Sequence, residues 1–251
     1  MYIYADFSAY SDLARGAAKM MHIDVGRNFI NPYLSRSTSE FWNRWHVSLN
    51  DWFIENLYIP LGGNRKGKAR KYLNVFLVFL ISGLWHGASW HFVLWGIING
   101  IIVIVGQILS PLKKSIYHKL GIDENLESIV LLKRTGVFLL ISLTWIFFNM
   151  RTIHAIAIIQ TLFDFDFISF FSPDLLTIAG SAVSTFNTAI LTLCFIVVQC
   201  YRQEEAKTYS VFCSQPLFFQ SLLLAFIVCL CIFGYFSTDS YIDTQFIYFQ
   251  F

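Results

Sequence analysis

Two histidines define the chemistry this sequence can hold. The first, His86, lies in Leu80-Ile81-Ser82-Gly83-Leu84-Trp85-His86-Gly87-Ala88-Ser89-Trp90-His91, within an otherwise apolar stretch from about Tyr72 to Leu109. An ionisable side chain at or near membrane depth is costly, and it marks a functional position by default. The small residues around it let a neighbouring backbone or a substrate come close. Trp85 and Trp90 add apolar bulk, which disfavours the imidazolium. A neutral imidazole there is a competent general base for an attacking hydroxyl. The alternative is a structural histidine bonded to a neighbouring helix, with Gly83-x-x-x-Gly87 as a packing face.

The second candidate is His46, in Phe41-Trp42-Asn43-Arg44-Trp45-His46. It sits on an element too polar to face lipid all round, and it could meet His86 to orient it or relay a proton. The alternative is an interfacial histidine bonded to headgroups or backbone. His91 follows His86 closely, but about 140° round a continuous helix, so it ranks below His46. His22, His118 and His154 fall at segment edges, where solvation is expected.

Asp6, Tyr10 and Asp12 form a polar set near the start of the chain. With Trp85 they could line an internal passage, or they could make helix-to-helix hydrogen bonds. Arg65, Lys66 and Lys68, followed by Arg70 and Lys71, form a short basic run with no acid among them. Such a run could contact the phosphates of a cytosolic acyl donor. It could instead touch anionic lipid and fix topology, because short Lys/Arg-rich loops stay cytoplasmic. No Walker-type loop, Gly-x-Ser-x-Gly elbow or metal-ligand spacing appears, and nothing points to nucleic acid. The five cysteines, Cys194, Cys200, Cys213, Cys229 and Cys231, read as buried free thiols rather than disulfides or zinc ligands.

The elements that must carry these groups are those of a membrane protein. Hydrophobic residues make up 56% of the 251 and charged residues only 14%, against roughly 25% charged in soluble domains. Abundant aromatics, 26 of them Phe, suit bilayer interfaces. No secretory signal precedes the patterned sequence. Residues 1–22 read as a helix too polar for a lipid-facing span, ended by breakers at Gly26, Asn28, Asn31 and Pro32. Ser37-x-x-Glu40 is a capping box that should open an amphipathic helix running to about Tyr58, with Glu40 and Arg44 as i,i+4 partners. Pro60 and Gly62-Gly63 end it.

Residues 72–109 then form either one broken helix or a re-entrant hairpin, with the Trp85–Ala88 turn near mid-membrane. A polar loop is expected near Lys113, Lys114 and Lys119, and an interfacial loop at Asp164–Asp174. Further spans are expected at Ile129–Asn149, Leu176–Tyr201 and Leu217–Phe236. The fold class is therefore all-α: one polytopic integral membrane helical bundle over residues 1–251, with broken or re-entrant and amphipathic helices.

With these residues in view, the chain resembles the membrane-bound O-acyltransferases, and among them the alginate O-acetyltransferase branch. The resemblance is carried by Tyr4-Ala5-Asp6-Phe7-Ser8-Ala9-Tyr10-Ser11-Asp12, by Phe41-Trp42-Asn43-Arg44-Trp45-His46, and by Tyr58-Ile59-Pro60-Leu61-Gly62-Gly63-Asn64-Arg65. Gly83-Leu84-Trp85-His86-Gly87-Ala88 and the closing Phe246–Phe251 complete it. Residues 111–240 match in hydropathy alone. The resemblance implies that His86 is the catalytic histidine and His46 its polar partner. It implies a cytosolic acyl donor, acetyl-CoA, no bound cofactor, and transfer through the membrane domain. An extracytoplasmic partner protein would pass the acetyl group to a cell-surface polysaccharide.

The same resemblance implies a multi-pass protein of the bacterial inner membrane, in contact with lipid. Family members carry further spans before the Asp-Phe-Ser motif, so this chain corresponds to a C-terminal half. Ala9, where the family usually has Gly, and His91 after Trp90 are smaller departures. D-alanyl transfer to teichoic acid is the runner-up, and the Ile-Pro-Leu-Gly-Gly-Asn-Arg run argues for the acetylating branch instead. A non-catalytic membrane subunit or an inactive fragment is the remaining alternative.

Overall fold

The computed structural model describes residues 2–163, 210, 213–222 and 225. Residues 2–163 lie in the first of two units (Met1–Leu175 with Phe251), and the others in the second (Leu176–Gln250). The described residues are helical or in turns, with no strand among them.

α1 (Tyr2–Met20) buries Tyr4 and Phe7, three residues apart and so on one face, against the segment that follows it. The chain then turns through Asn31, which is left-handed, into a single 3-10 turn at Pro32–Leu34. Ser37 caps α2 (Thr38–Arg44) by accepting from the Glu40 N–H at 3.1 Å. The Glu40 carboxylate reaches back to the Arg36 N–H at 2.7 Å and pairs with Arg44 at 2.6 Å. The Ser37 cap and the i,i+4 pair are thus as the pattern predicts, while the returning carboxylate meets the N–H of Arg36 rather than that of Ser37.

The single helix expected from there to Tyr58 is instead broken. α2 stops at Arg44, and α3 (Val47–Phe53) starts after a left-handed residue, His46. A π-helical turn, Ile54–Tyr58, follows. The break changes which rings face the core. Phe41, Trp45 and Phe53 are buried, while Trp52 lies exposed.

α4 (Gly67–His86) and α5 (Trp90–Lys119) are separated by three residues and pack against each other antiparallel. Residues 72–109 therefore form a helical hairpin rather than one broken helix. The backbones meet at glycines. A Cβ on Gly83 would fall 2.4 Å from the Phe92 carbonyl oxygen, and one on Gly96 would fall 2.4 Å from that of Phe79. The Cα–H groups of the two glycines thus point at each other's helix, a contact that only a missing side chain permits. The polar loop expected near Lys113 is helical, because α5 continues through Pro111 to Lys119.

α6 (Glu127–Asn149) packs on α5 and on the 3-10 turn. Its two early cations are both used. Lys133 pairs with Glu124 at 2.7 Å, and Arg134 donates from Nε to the Leu34 carbonyl at 3.0 Å. α7 (Thr152–Phe163) ends the described part of the first unit. Among the described residues α5 and α6 are long and apolar enough to cross a membrane. The expected span 176–201, most of 217–236, the loop 164–174 and the closing 246–251 lie outside the described residues, as do all the cysteines but Cys213, an exposed free thiol.

Candidate active site

His86 is the last residue of α4, directly before the hairpin turn. Its position follows from the glycine contact one turn earlier, which draws the end of α4 onto α5. The ring is buried, 9% exposed, in a wedge of aromatic side chains. Trp95 of α5 meets it edge to face, with centroids 5.4 Å apart, and Phe148 of α6 does the same at 4.9 Å. Phe92 closes the α5 side at 6.3 Å. Gly87 admits that ring, since a Cβ there would meet Phe92 Cε2 at 2.7 Å. Three helices are thus needed to build the surroundings of one imidazole.

His46 occupies the break between α2 and α3 with φ of 47°. Left-handed backbone is uncommon for a residue with a side chain and costs of order 1 kcal/mol or more, so its retention needs compensating contacts. Phe7 of α1 packs edge to face on the imidazole at 4.7 Å. Asn28 Oδ1 lies 3.1 Å from Nδ1. Burial holds the His46 pKa down to about 4, from the usual 6.5. This residue lies outside both candidate spans, and its ring is neutral at physiological pH.

The structure brings the two histidines into one neighbourhood. A continuous set of rings joins them: Phe7 packs on His46, Phe29 lies 5.1 Å from Phe7 and 5.0 Å from Trp45, Trp45 lies 4.8 Å from Trp145, Trp145 lies 5.3 Å from Phe148, and Phe148 contacts His86. His91 is directed elsewhere. Its Nδ1 donates to the Phe147 carbonyl at 3.2 Å, tying the start of α5 to α6. His22, His118 and His154 are exposed.

The remaining candidates are scattered. Asp6 and Tyr10 are four residues apart on α1, on a face distinct from the one that buries Tyr4 and Phe7. Asp12 is exposed and pairs with Arg15 at 3.8 Å. Trp85, 53% exposed, lies against His86 with ring centroids 4.9 Å apart. Arg65, Lys66 and Lys68 are exposed at the opposite end of α4 from His86, roughly 30 Å away by helix rise.

Three residues that matter here carried no chemical signal in the sequence. Asn28 read only as a helix breaker. Trp95 and Phe148 read as ordinary apolar content of their helices. Asn74 is a fourth omission. It is fully buried on α4, and its Nδ2 donates to the Gly63 carbonyl at 3.1 Å and to that of Leu61 at 3.5 Å. It thereby anchors the Pro60–Gly63 turn, where Gly62 and Gly63 take positive φ.

Comparison with known proteins bears on what such a centre does. Residues 1–119 match the sequence model of the membrane-bound O-acyltransferase family. Over 207 residues the chain is 35% identical to a probable alginate O-acetylase of Pseudomonas putida, a match covering 82% of this chain and 40% of that protein. Over 153 residues it is 37% identical to the peptidoglycan O-acetyltransferase of Helicobacter pylori, covering 61% and 28%. Over 128 residues it is 36% identical to the teichoic acid D-alanyltransferase of Streptococcus thermophilus, covering 46% and 31%. The chain spans about two fifths of the length of the alginate O-acetylases it matches.

Proposed function

Residues 1–119 belong to the membrane-bound O-acyltransferase family, and from that premise we propose that the chain carries the histidine centre of an O-acetyltransferase. The donor is a cytosolic thioester, acetyl-CoA, and the acetyl group is destined for an extracytoplasmic polysaccharide through a partner protein. The protein would work as a multi-pass component of the bacterial inner membrane.

The observation that carries this reading is the placement of His86. Its imidazole is buried among apolar rings from three helices, and those rings continue through Trp145 and Trp45 toward His46. In the transfer, the acceptor hydroxyl attacks the thioester carbonyl while His86 takes the hydroxyl proton. A carbon–oxygen ester bond forms and the carbon–sulfur bond breaks. The proton held on His86 then passes to the departing thiolate. Trp95, Phe92 and Phe148 keep water from competing for the acyl group. Arg65, Lys66 and Lys68 would meet the donor's phosphates at the cytosolic surface. The length of α4 is then the gap that the donor's flexible arm bridges.

Acetylation is favoured over D-alanyl transfer by the larger share of this chain that matches the acetylating relatives, 82% and 61% against 46%. The test is His86→Ala in cells that carry the partner protein and polysaccharide. Acetylation should fall by about 10²–10⁴, the scale of a lost general base, with membrane insertion unchanged. Normal acetylation by a fully inserted variant would overturn the assignment.

A further inference from the structure

The His46 ring has two nitrogens, and the contacts around it decide which one bears the proton. Asn28 reaches it from the loop after α1. The Asn28 backbone carbonyl accepts from the Val47 N–H at 2.9 Å. Its side-chain Oδ1 accepts from the Ser48 N–H at 3.2 Å and from the Ser48 hydroxyl at 3.0 Å. Its Nδ2 donates to the Ser11 hydroxyl at 3.4 Å. A backbone N–H can only donate, so the atom facing Ser48 must be the amide oxygen, and the amide orientation is determined. That same oxygen lies 3.1 Å from His46 Nδ1. The Ser48 hydroxyl also lies 3.5 Å from Nδ1, but its hydrogen is given to Asn28 Oδ1 at the shorter 3.0 Å, so neither oxygen offers Nδ1 a donor and Nδ1 carries the proton. In the neutral ring the lone pair then sits on Nε2.

We propose that Asn28 is a positioning residue that holds His46 in the Nδ1-protonated tautomer, leaving Nε2 as the nitrogen that exchanges protons with the acyl-transfer centre. Its consequence for catalysis rests on the acetyl-transfer reading above, while the tautomer itself does not. The left-handed backbone at His46 and the Phe7 ring fix where the imidazole lies. Neither sets its tautomer, because a ring face is indifferent to which nitrogen is protonated. With Nδ1 committed to Asn28, His46 can accept a hydrogen bond at Nε2, from the acceptor hydroxyl or from His86. Should Nε2 take up a proton, the Asn28 oxygen supports the imidazolium and remains an acceptor throughout. The arrangement assigns His46 the complement of a donor's role.

The full chain, embedded in lipid nanodiscs and labelled with nitrogen-15 at histidine, tests this directly. The His46 signals are identified by their loss in His46→Gln. The wild type should show a protonated Nδ1 and an unprotonated Nε2. Asn28→Asp keeps the acceptor and should keep the proton on Nδ1; its carboxylate also favours the imidazolium, so its spectrum is read at a pH where the ring is neutral. Asn28→Leu, which removes the acceptor at similar volume, should shift the proton to Nε2. In the acetylation assay Asn28→Leu should lose about 10²-fold or more, the scale on which a wrong tautomer disables a catalytic histidine. Asn28→Asp should recover most of that loss.

A neutral ring with its proton on Nε2 and none on Nδ1, in the wild type or in Asn28→Asp, overturns the proposal, even if Asn28→Leu does not fold. An unchanged tautomer in folded Asn28→Leu overturns it equally. Acetyl transfer that survives His86→Ala would instead defeat the acyl-transfer reading and leave the tautomer result standing.

Discussion

Replacing Gly83 by alanine tests whether the hairpin contact is what places the candidate base. The new methyl carbon would sit 2.4 Å from the Phe92 carbonyl oxygen, 3.2 Å from its carbon and 3.3 Å from Gly96 Cα. Carbon–oxygen contacts between packed helices settle at about 3.3 Å, so the methyl is about 0.9 Å too close. All three neighbours are backbone atoms, so no side chain can move aside. α4 and α5 must part by about that distance. Overpacking of this kind costs about 1–3 kcal/mol. His86 lies one turn further along the same helix and shifts against Trp95 and Phe148. A displacement near 1 Å at a reacting group costs on the order of 10²-fold in rate.

The control is Gly136→Ala on α6, where the added Cβ meets nothing within 4 Å. Helix propensity alone would make that change neutral or stabilising by up to about 1 kcal/mol. Thermal unfolding of the purified protein and polysaccharide acetylation in cells should both separate the two variants. Gly83→Ala is expected to lose stability and most activity, and Gly136→Ala neither. Equal behaviour of the two would refute the argument that the glycine contact positions His86.

Asn74→Leu should free the turn that Asn74 anchors. It leaves the buried Gly63 carbonyl without its donor, which costs about 1–3 kcal/mol. Limited trypsin digestion should then cut faster at Arg65–Lys71, and an unchanged rate would mean that the turn holds itself. The depressed pKa of His46 makes a pH prediction of definite sign. Its unfolded form takes up a proton near pH 6.5 and its folded form only near pH 4, so the contribution to stability is complete above 6.5 and declines between 6.5 and 4 as pH falls. The melting temperature of the wild type relative to His46→Gln should be flat above pH 6.5 and drop across that window. A difference that is constant down to pH 4 would show that His46 is charged in the folded protein.

Much of this molecule was present in local pattern. Helix-period polarity marked α1, Ser37 and Glu40 marked the start of α2, and long apolar runs marked the greater part of α5 and α6. These signals are legible because capping and periodicity act within one or two turns of the chain. The two histidines were legible for a different reason, since an ionisable ring amid apolar residues is conspicuous wherever the chain goes. The family motifs around them lie in that same first half.

The break at His46 and the way α4 returns on α5 were decided elsewhere. The uninterrupted pattern from Phe41 to Phe53 predicts one helix. The left-handed turn within it is held by Asn28 and Phe7, which belong to other segments. Residues 72–109 were compatible with a broken helix or a hairpin until Gly83 met Gly96. The surroundings of His86 come from Trp95 and Phe148, and its tie to His46 runs through Trp45 and Trp145. Sequence by itself determined which residues could do acid–base chemistry. Tertiary structure decided which of them meet, because long-range packing of small and aromatic side chains leaves no periodic trace along the chain.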